Sequence, residues 1–490
     1  MGKGKLVPSC TWAATLLIVA LGCSGACSAQ GSTFTPSESS NMMMRAQRCA
    51  DEHESADERI RACSTIIKDG GLRGRDLANI YIYRARAARS THDNEDAARD
   101  LDLAIRTDDR YAVPWFERGN FRSDNGDNRR ALEDYDRAIQ LKGTYSEFFI
   151  NRGNVHKDLG EQDAAIADYG KAIAIDPKNA AAYSNRGGLY LAQDELDAAI
   201  RDFDRAIELD PYKSEQYYNR SAALLKKGND TDRALKDLDE ALRLRPDFAA
   251  GYVARGRALE SRGDTERALA DYGEAIRLNP ASPALESRAR LLLTKGDFDA
   301  AIKDLNQTIA NEPANAAALN NRGVAYVNQQ SYERAVADFS RATDLMPGFA
   351  DAWFNRGSAY EKMKAPERAL RDYDQVIRLN PKYAAAYFNR GGILLAQKQY
   401  APSLEDYSRA IELAPKDAAA WFKRGNVHLD LKQFQPAVTD YTEAIRLDAN
   451  HAIALYNRSL AYARLGKRDL SAQDFARAIK LDPTLARSAR

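Results

Sequence analysis

The sequence predicts an all-α solenoid built from antiparallel helix pairs. Three observations predict it. Arginines recur at 84, 118, 152, 186, 220, 255, 288, 322, 356, 390, 424 and 458, in steps of 34 residues broken only by one of 35 and one of 33. Each lies in an apolar-periodic, helix-like stretch, as in FNRG at 388–391. In units such as that ending at Pro381 the second helix is stopped by an NP or DP pair, because proline cannot continue a helix interior. Twelve units tile roughly residues 78–485, so a chain of 490 residues is a modular array and not one large core.

Taken in order, the first element is residues 1–29. Lys3 and Lys5 form a short basic region, followed by the apolar run WAATLLIVALG at 12–22. A membrane span needs about 20 apolar residues, so this run reads as a secretory signal peptide with cleavage after Ala26 or Ala29. VALGC at 19–23 offers a second reading, a bacterial lipoprotein signal with Cys23 lipidated, although Ala20 stands where a leucine is more usual. Residues 30–41, QGSTFTPSESSN, read as a flexible lead-in. Residues 42–77 read as a helical hairpin turning near Ser55–Ala56. Cys49 and Cys63, the cysteines left after signal removal, are each seven residues from position 56, so they lie level across the hairpin. A disulfide in an oxidising compartment is the expectation, and two small buried thiols the alternative.

One unit shows how each repeat is built. In WFNRGSAYEKMKAPERALRDYDQVIRLNP, residues 353–381, the first helix carries Trp353, Gly357 and Tyr360; a polar turn follows; the second helix carries Ala369, Tyr373, Val376 and Ile377. Such short helices are marginal alone, so stability must come from stacking. The order Trp353-x2-Arg356-Gly357-x2-Tyr360, Ala369-x3-Tyr373, Pro381 resembles the tetratricopeptide repeat, with arginine in the family's leucine slot. The alanine slot is kept at 131, 165, 199, 234, 268, 301, 335, 369 and 437 and becomes Ser403 and Ser471. The resemblance implies a right-handed superhelix whose first helices line an inner groove that binds extended peptides or partner helices.

The arginine has a partner. Sixteen residues after each stands an aspartate, for example Arg356 with Asp372 and Arg390 with Asp406; after Arg220 the step is seventeen, because KKGND at 226–230 adds a residue to the turn. The two positions lie level across the helix pair, and a planar guanidinium grips a carboxylate with two hydrogen bonds. The expectation is a structural ion pair in every unit. A basic ladder for an anionic ligand is the rival, and the matched aspartates cancel its charge.

Before seven of the arginines stands an asparagine: Asn151, Asn185, Asn219, Asn321, Asn355, Asn389 and Asn457. By resemblance these face the groove, where each offers a donor and an acceptor to a peptide backbone. The row resembles the asparagine ladder of the O-linked N-acetylglucosamine transferase superhelix; packing is the other reading. One residue earlier, Phe354, Phe388, Phe422 and Tyr456 form a stripe beside Asn355, Asn389, Lys423 and Asn457. Aromatic stripes supply contact area at low entropic cost, and they also serve packing between repeats. A groove hot spot is therefore placed within 350–460. The asparagine row breaks at Ala254 and Ser287, near the irregular KKGND and NPASPA (279–284) stretches, where a hinge or tolerated drift are both open. The array stops at Pro483, residues 486–490 form a tail, and the uncovered end is a candidate for self-association.

The chain has 71 basic and 70 acidic residues with no basic stripe, which argues against nucleic acid as a partner. No phosphate-binding loop, zinc motif or nucleophile elbow is present, so no enzyme activity, metal or cofactor is expected. His156 and His428 occupy slots where other units place tyrosine or leucine, and read as packed. The expected function is an exported, periplasmic or secreted, scaffold for protein or peptide segments. The alternatives are an envelope-anchored lipoprotein assembly factor, with membrane contact only through Cys23, and a targeting subunit of a separate enzyme.

Overall fold

The computed structural model describes residues 36–228 and 230–487, so the signal-peptide reading of 1–29, Cys23 included, lies outside the described residues. The described chain is all helical, with 26 α-helices and a closing 3-10 turn at Pro483–Arg487. It divides into two units, residues 1–247 and 248–490. The division falls between the two irregular stretches at 226–230 and 279–284.

The first unit opens with a hairpin, α1 (Pro36–Ala50) and α2 (Ala56–Asp69). α1 starts inside the stretch read as a flexible lead-in, because Pro36 takes the first helical position, where its missing N–H costs no bond. Ser55 caps α2 by accepting from the Glu58 N–H. Cys49 and Cys63 are fully buried, with Cα atoms 5.0 Å apart, inside the span of a disulfide. Five helix pairs follow: α3 (Gly74–Ser90) with α4 (Asn94–Thr107), α5 (Ala112–Asp124) with α6 (Asn128–Leu141), α7 (Ser146–Asp158) with α8 (Gln162–Ile175), α9 (Ala180–Ala192) with α10 (Leu196–Leu209), and α11 (Ser214–Lys227) with α12 (Thr231–Leu244). The first pair thus begins at Gly74, a turn before the expected position 78.

The second unit holds seven pairs: α13 (Ala249–Ser261) with α14 (Thr265–Leu278), α15 (Ala284–Lys295) with α16 (Phe298–Asn311), α17 (Ala316–Asn328) with α18 (Tyr332–Leu345), α19 (Ala350–Lys362) with α20 (Pro366–Leu379), α21 (Ala384–Ala396) with α22 (Tyr400–Leu413), α23 (Ala418–Asp430) with α24 (Phe434–Leu447), and α25 (Ala452–Arg464) with α26 (Arg468–Leu481). Within each unit every helix packs on its sequence neighbours, and the first helices of successive pairs also touch, as α19 does α17 and α23 does α21. Among the described residues the second helices make no comparable approach, so the first helices form the inner side of each stack.

The same local chemistry builds every pair. The turn inside each holds one residue of positive φ: glycine six times, for example Gly126 and Gly466, and otherwise His92, Asp194, Gln330, Lys364, Lys398 and Lys432. A left-handed residue other than glycine costs about 1–2 kcal/mol, and six such residues show that the turn geometry dominates that cost. The alanine slot is fully buried in each second helix that keeps it. Where serine replaces it, the hydroxyl donates to a first-helix carbonyl, Ser403 to Gly391 O and Ser471 to Ser459 O. The glycine after the arginine lets the second helix lay an aromatic ring on the first: a Cβ at Gly323 would stand 2.5 Å from the Phe339 ring. The core is a string of local clusters, such as Ala369, Tyr373, Val376, Ala386 and Ile393, each bridging two pairs.

Candidate interaction surface

Each repeat arginine sits mid-way along its first helix, and all twelve grip their aspartate through Nε and Nη2, one to each carboxylate oxygen. In α19 and α20 the Arg356–Asp372 bonds are both 2.8 Å, and in α21 and α22 those of Arg390–Asp406 are 2.8 and 2.6 Å. The aspartates are buried; Asp372 is 3% exposed. The hydrogen bonds to Asp406 hold the Arg390 guanidinium above its usual value, against the opposing effect of burial. The guanidinium also stacks on the ring three residues earlier, and Arg356 Cζ lies 4.5 Å from the Trp353 centroid. Trp353 in turn donates its indole N–H to Pro347 O in the connecting turn.

A third contact escapes the sequence reading. In at least eight of these arginines Nη1 reaches back to the second helix of the preceding pair, to Asp102, Asp136, Asp204, Asn306, Ser340, Asp374, Ser408 or Thr442. The signal is present, since each partner stands sixteen residues before its arginine, but its identity varies among four residue types. Every arginine therefore ties two helices of its own pair, and most also tie the pair before. The guanidinium row is engaged internally, which removes the basis for a basic ladder.

The asparagines turn out to be joints. Asn151 donates to Asn120, Asn185 to Asn154, Asn355 to Asn320, Asn457 to Asn426, and Asn389 to the Tyr373 hydroxyl, at 2.9–3.2 Å. Their N–H donors point into the junction with the preceding pair, not outward. Asn151 is fully buried, so it cannot meet a ligand. Asn185, Asn355, Asn389 and Asn457 are half-buried and keep the amide oxygen and one N–H for a partner; Asn219 and Asn321 are half-buried and make no such bond among the described residues. The acceptors belong to a wider network the sequence reading missed. Second-helix tyrosines donate to the residue two after the arginine or one turn further: Tyr135 to Asn120, Tyr169 to Asn154, Tyr441 to Asn426, Tyr272 to Glu260 and Tyr373 to Glu361. Where that ring is Phe203 or Phe339, no partner is needed. Tyr407 is the exception: its buried hydroxyl has no partner, Gly392 stands in the asparagine slot, and Lys423 interrupts the asparagine row just there.

The aromatic stripe is half-buried. Phe354 packs on Tyr373 with centroids 5.7 Å apart, Phe388 on Tyr407 at 5.7 Å, Phe422 on Tyr441 at 6.0 Å and Tyr456 on Phe475 at 6.1 Å. Phe354 also packs on Tyr383 at 5.1 Å and Phe422 on His451 at 4.6 Å; what stays exposed of the rings lies on the first helices of the second unit, with half-buried Lys423 among them. His156 and His428 fill equivalent positions, with Nδ1 2.6 Å from Glu161 Oε2 and Gln433 Oε1 respectively. Among the described residues no group of three or more acidic, histidine or cysteine side chains is arranged to hold a metal ion, and no helix is long and apolar enough to cross a membrane. At the far end Leu485 packs on the last core cluster, while Ile453, Leu460, Leu470 and Leu481 stay exposed.

Comparison with known proteins agrees with this geometry. Tetratricopeptide repeat models match residues 219–283, 287–348, 325–366 and 422–486, and again 180–213 and 350–383; a TPR repeat model matches 153–194 and 391–432. No curated protein sequence matches the chain. Among solved structures, a tetratricopeptide repeat protein from Parabacteroides merdae is similar at 21% identity, covering 51% of this chain and 98% of its own, with a TM-score of 0.40. Yeast Tom70 is similar at 16% identity over 84% of this chain and 99% of its own, with a TM-score of 0.36. MamA from Desulfovibrio magneticus RS-1 is similar at 24% identity over 35% of this chain and 96% of its own, with a TM-score of 0.33. With the repeat grammar, the helix pairs and the family models in agreement, the chain belongs to the tetratricopeptide repeat family.

Proposed function

We propose that the chain is an exported scaffold that takes protein or peptide segments along the first helices of residues 350–460. The observation that carries this reading is the row Phe354, Phe388, Phe422 and Tyr456, four half-buried rings on the inner side of the second unit beside Lys423. Half-exposed rings held by a rigid second helix offer apolar area at little entropic cost. The amide oxygens of Asn355, Asn389 and Asn457 and the Lys423 ammonium supply acceptors and a donor alongside. The test is loss of bound partners from a folded Phe354/Phe388/Phe422→Ala variant.

Export is supported by the apolar run at 12–22 and by the Cys49–Cys63 pairing, which suits a periplasmic or extracellular compartment. The expected mature chain starts near residue 27 or 30, and its mass rises on alkylation only after reduction. A mature chain with acylated Cys23 would instead favour the envelope-anchored assembly factor, and alkylation without reduction would remove the disulfide.

A further inference from the structure

A cavity of about 560 Å³ opens in the first unit where the N-terminal hairpin meets the first two helix pairs. Three guanidinium groups line it, Arg59 from α2 and Arg86 and Arg89 from α3. Two of them have their own carboxylates. Arg86 donates to buried Glu117 at 2.6 Å, and Arg89 pairs with Asp124. Arg59 has none. It is 7% exposed, yet its side chain makes no hydrogen bond and no ion pair within 4.0 Å among the described residues, and its Nε is buried without a partner. The Arg86 Nε is likewise unsatisfied.

The carboxylates that act on Arg59 do so only from beyond ion-pair distance. Glu52 stands at the rim, 60% exposed and 4.0 Å from Arg86 Nη1, and His92 also lines the cavity. Burial pulls the Arg59 guanidinium below its usual value; Glu52 opposes this from a distance, Arg86 repels it, and Asp51 adds smaller support. A buried charge without a partner is among the costlier things a fold can keep, and such groups mark sites where a ligand supplies the missing charge. The Cys49–Cys63 pair helps hold it in place: Cys63 lies four residues after Arg59 on the same face of α2.

The rest of the wall says what kind of ligand fits. Phe121 gives an apolar surface, and Ser90, Asn94 and Asn125 give polar ones. The volume lies within the range of small-molecule pockets, about 300–1,000 Å³, and exceeds what a bare inorganic ion fills. We propose that this cavity binds a small organic anion, whose carboxylate or phosphate group pairs with Arg59 while its body lies along Phe121 and the two asparagines. A planar guanidinium presents paired donors to either oxyanion. This site is separate from the first-helix surface of residues 350–460 and does not depend on it.

The test uses the full exported chain, with citrate and inorganic phosphate as probes, each against sodium chloride at equal pH and ionic strength. Calorimetry and thermal melts should show saturable binding and a raised melting temperature for at least one of them; which one responds separates a carboxylate from a phosphate ligand. Arg59→Met should weaken that binding about tenfold or more, yet melt in chloride at or above the wild-type temperature, because it removes an unpaired buried charge. Glu52→Gln, at the exposed rim, should bind the same anion more tightly, and the exposed Arg99→Gln should leave it unchanged. The proposal is overturned if neither anion binds saturably, if Arg59→Met binds as the wild type does, if that variant melts lower in chloride, or if Glu52→Gln leaves the affinity unmoved.

Discussion

Replacing Asp372 alone by alanine is expected to destabilise the second unit by about 3–5 kcal/mol, and replacing Arg356 and Asp372 together by leucine is expected to cost less. The single change takes both carboxylate oxygens from a guanidinium whose side chain is only 14% exposed, so the charge stays in place without its counter-ion. Arg356 keeps its weaker Nη1 bonds to Ser340 and Thr343 and its contacts with the Trp353 and Tyr360 rings. The double change removes the charge with its partner, and two leucines keep the ring of Trp353 covered. Because repeat arrays open locally, hydrogen exchange of α19 and α20 measures this better than a whole-chain melt. Equal losses in the two variants would show that the carboxylate does not compensate the guanidinium.

The second large effect concerns a methyl group. Glycine to alanine inside a helix ordinarily gains about 1 kcal/mol. At Gly323 the sign should reverse, with a loss of about 1–3 kcal/mol. Its Cβ would lie 2.5 Å from Cε1 of Phe339, a fully buried ring packed with Ala335 and Ala359 and unable to retreat. Gly188 is the internal control: nothing lies within 4 Å of a Cβ there, so Gly188→Ala should gain the ordinary helix increment. Denaturation of the two variants beside the wild type measures both signs. A gain at Gly323 would mean that the ring does not hold the helices at this distance.

Much of this was legible in the sequence because the array repeats its spacing. A fixed step of sixteen from arginine to aspartate holds in eleven units and stretches to seventeen in the twelfth, where the turn gains a residue, which a contact across the pair explains. The return contact uses the same step in the opposite direction, but Asp, Asn, Ser and Thr all serve as acceptor, so no single letter recurs. The asparagine before the arginine looked like a groove ladder because its position faces inward. Its donor instead serves the joint with the preceding pair, where it closes a buried tyrosine–asparagine centre. The lead-in at 36–41 hid a helix start behind its serines. The cavity at Arg59 could not be read at all, because it gathers residues from 52 to 125 whose spacing follows no repeat.

The most direct test of the scaffold reading is a paired pull-down from native extract, wild type against Phe354/Phe388/Phe422→Ala, with Lys423→Glu as a companion that leaves the rings in place. Circular dichroism must first show both variants folded, since each ring also packs on a second-helix tyrosine. Partners retained by the wild type and lost from both variants are the expected result. An unchanged partner set on folded variants would contradict the account, returning the aromatic row to packing alone.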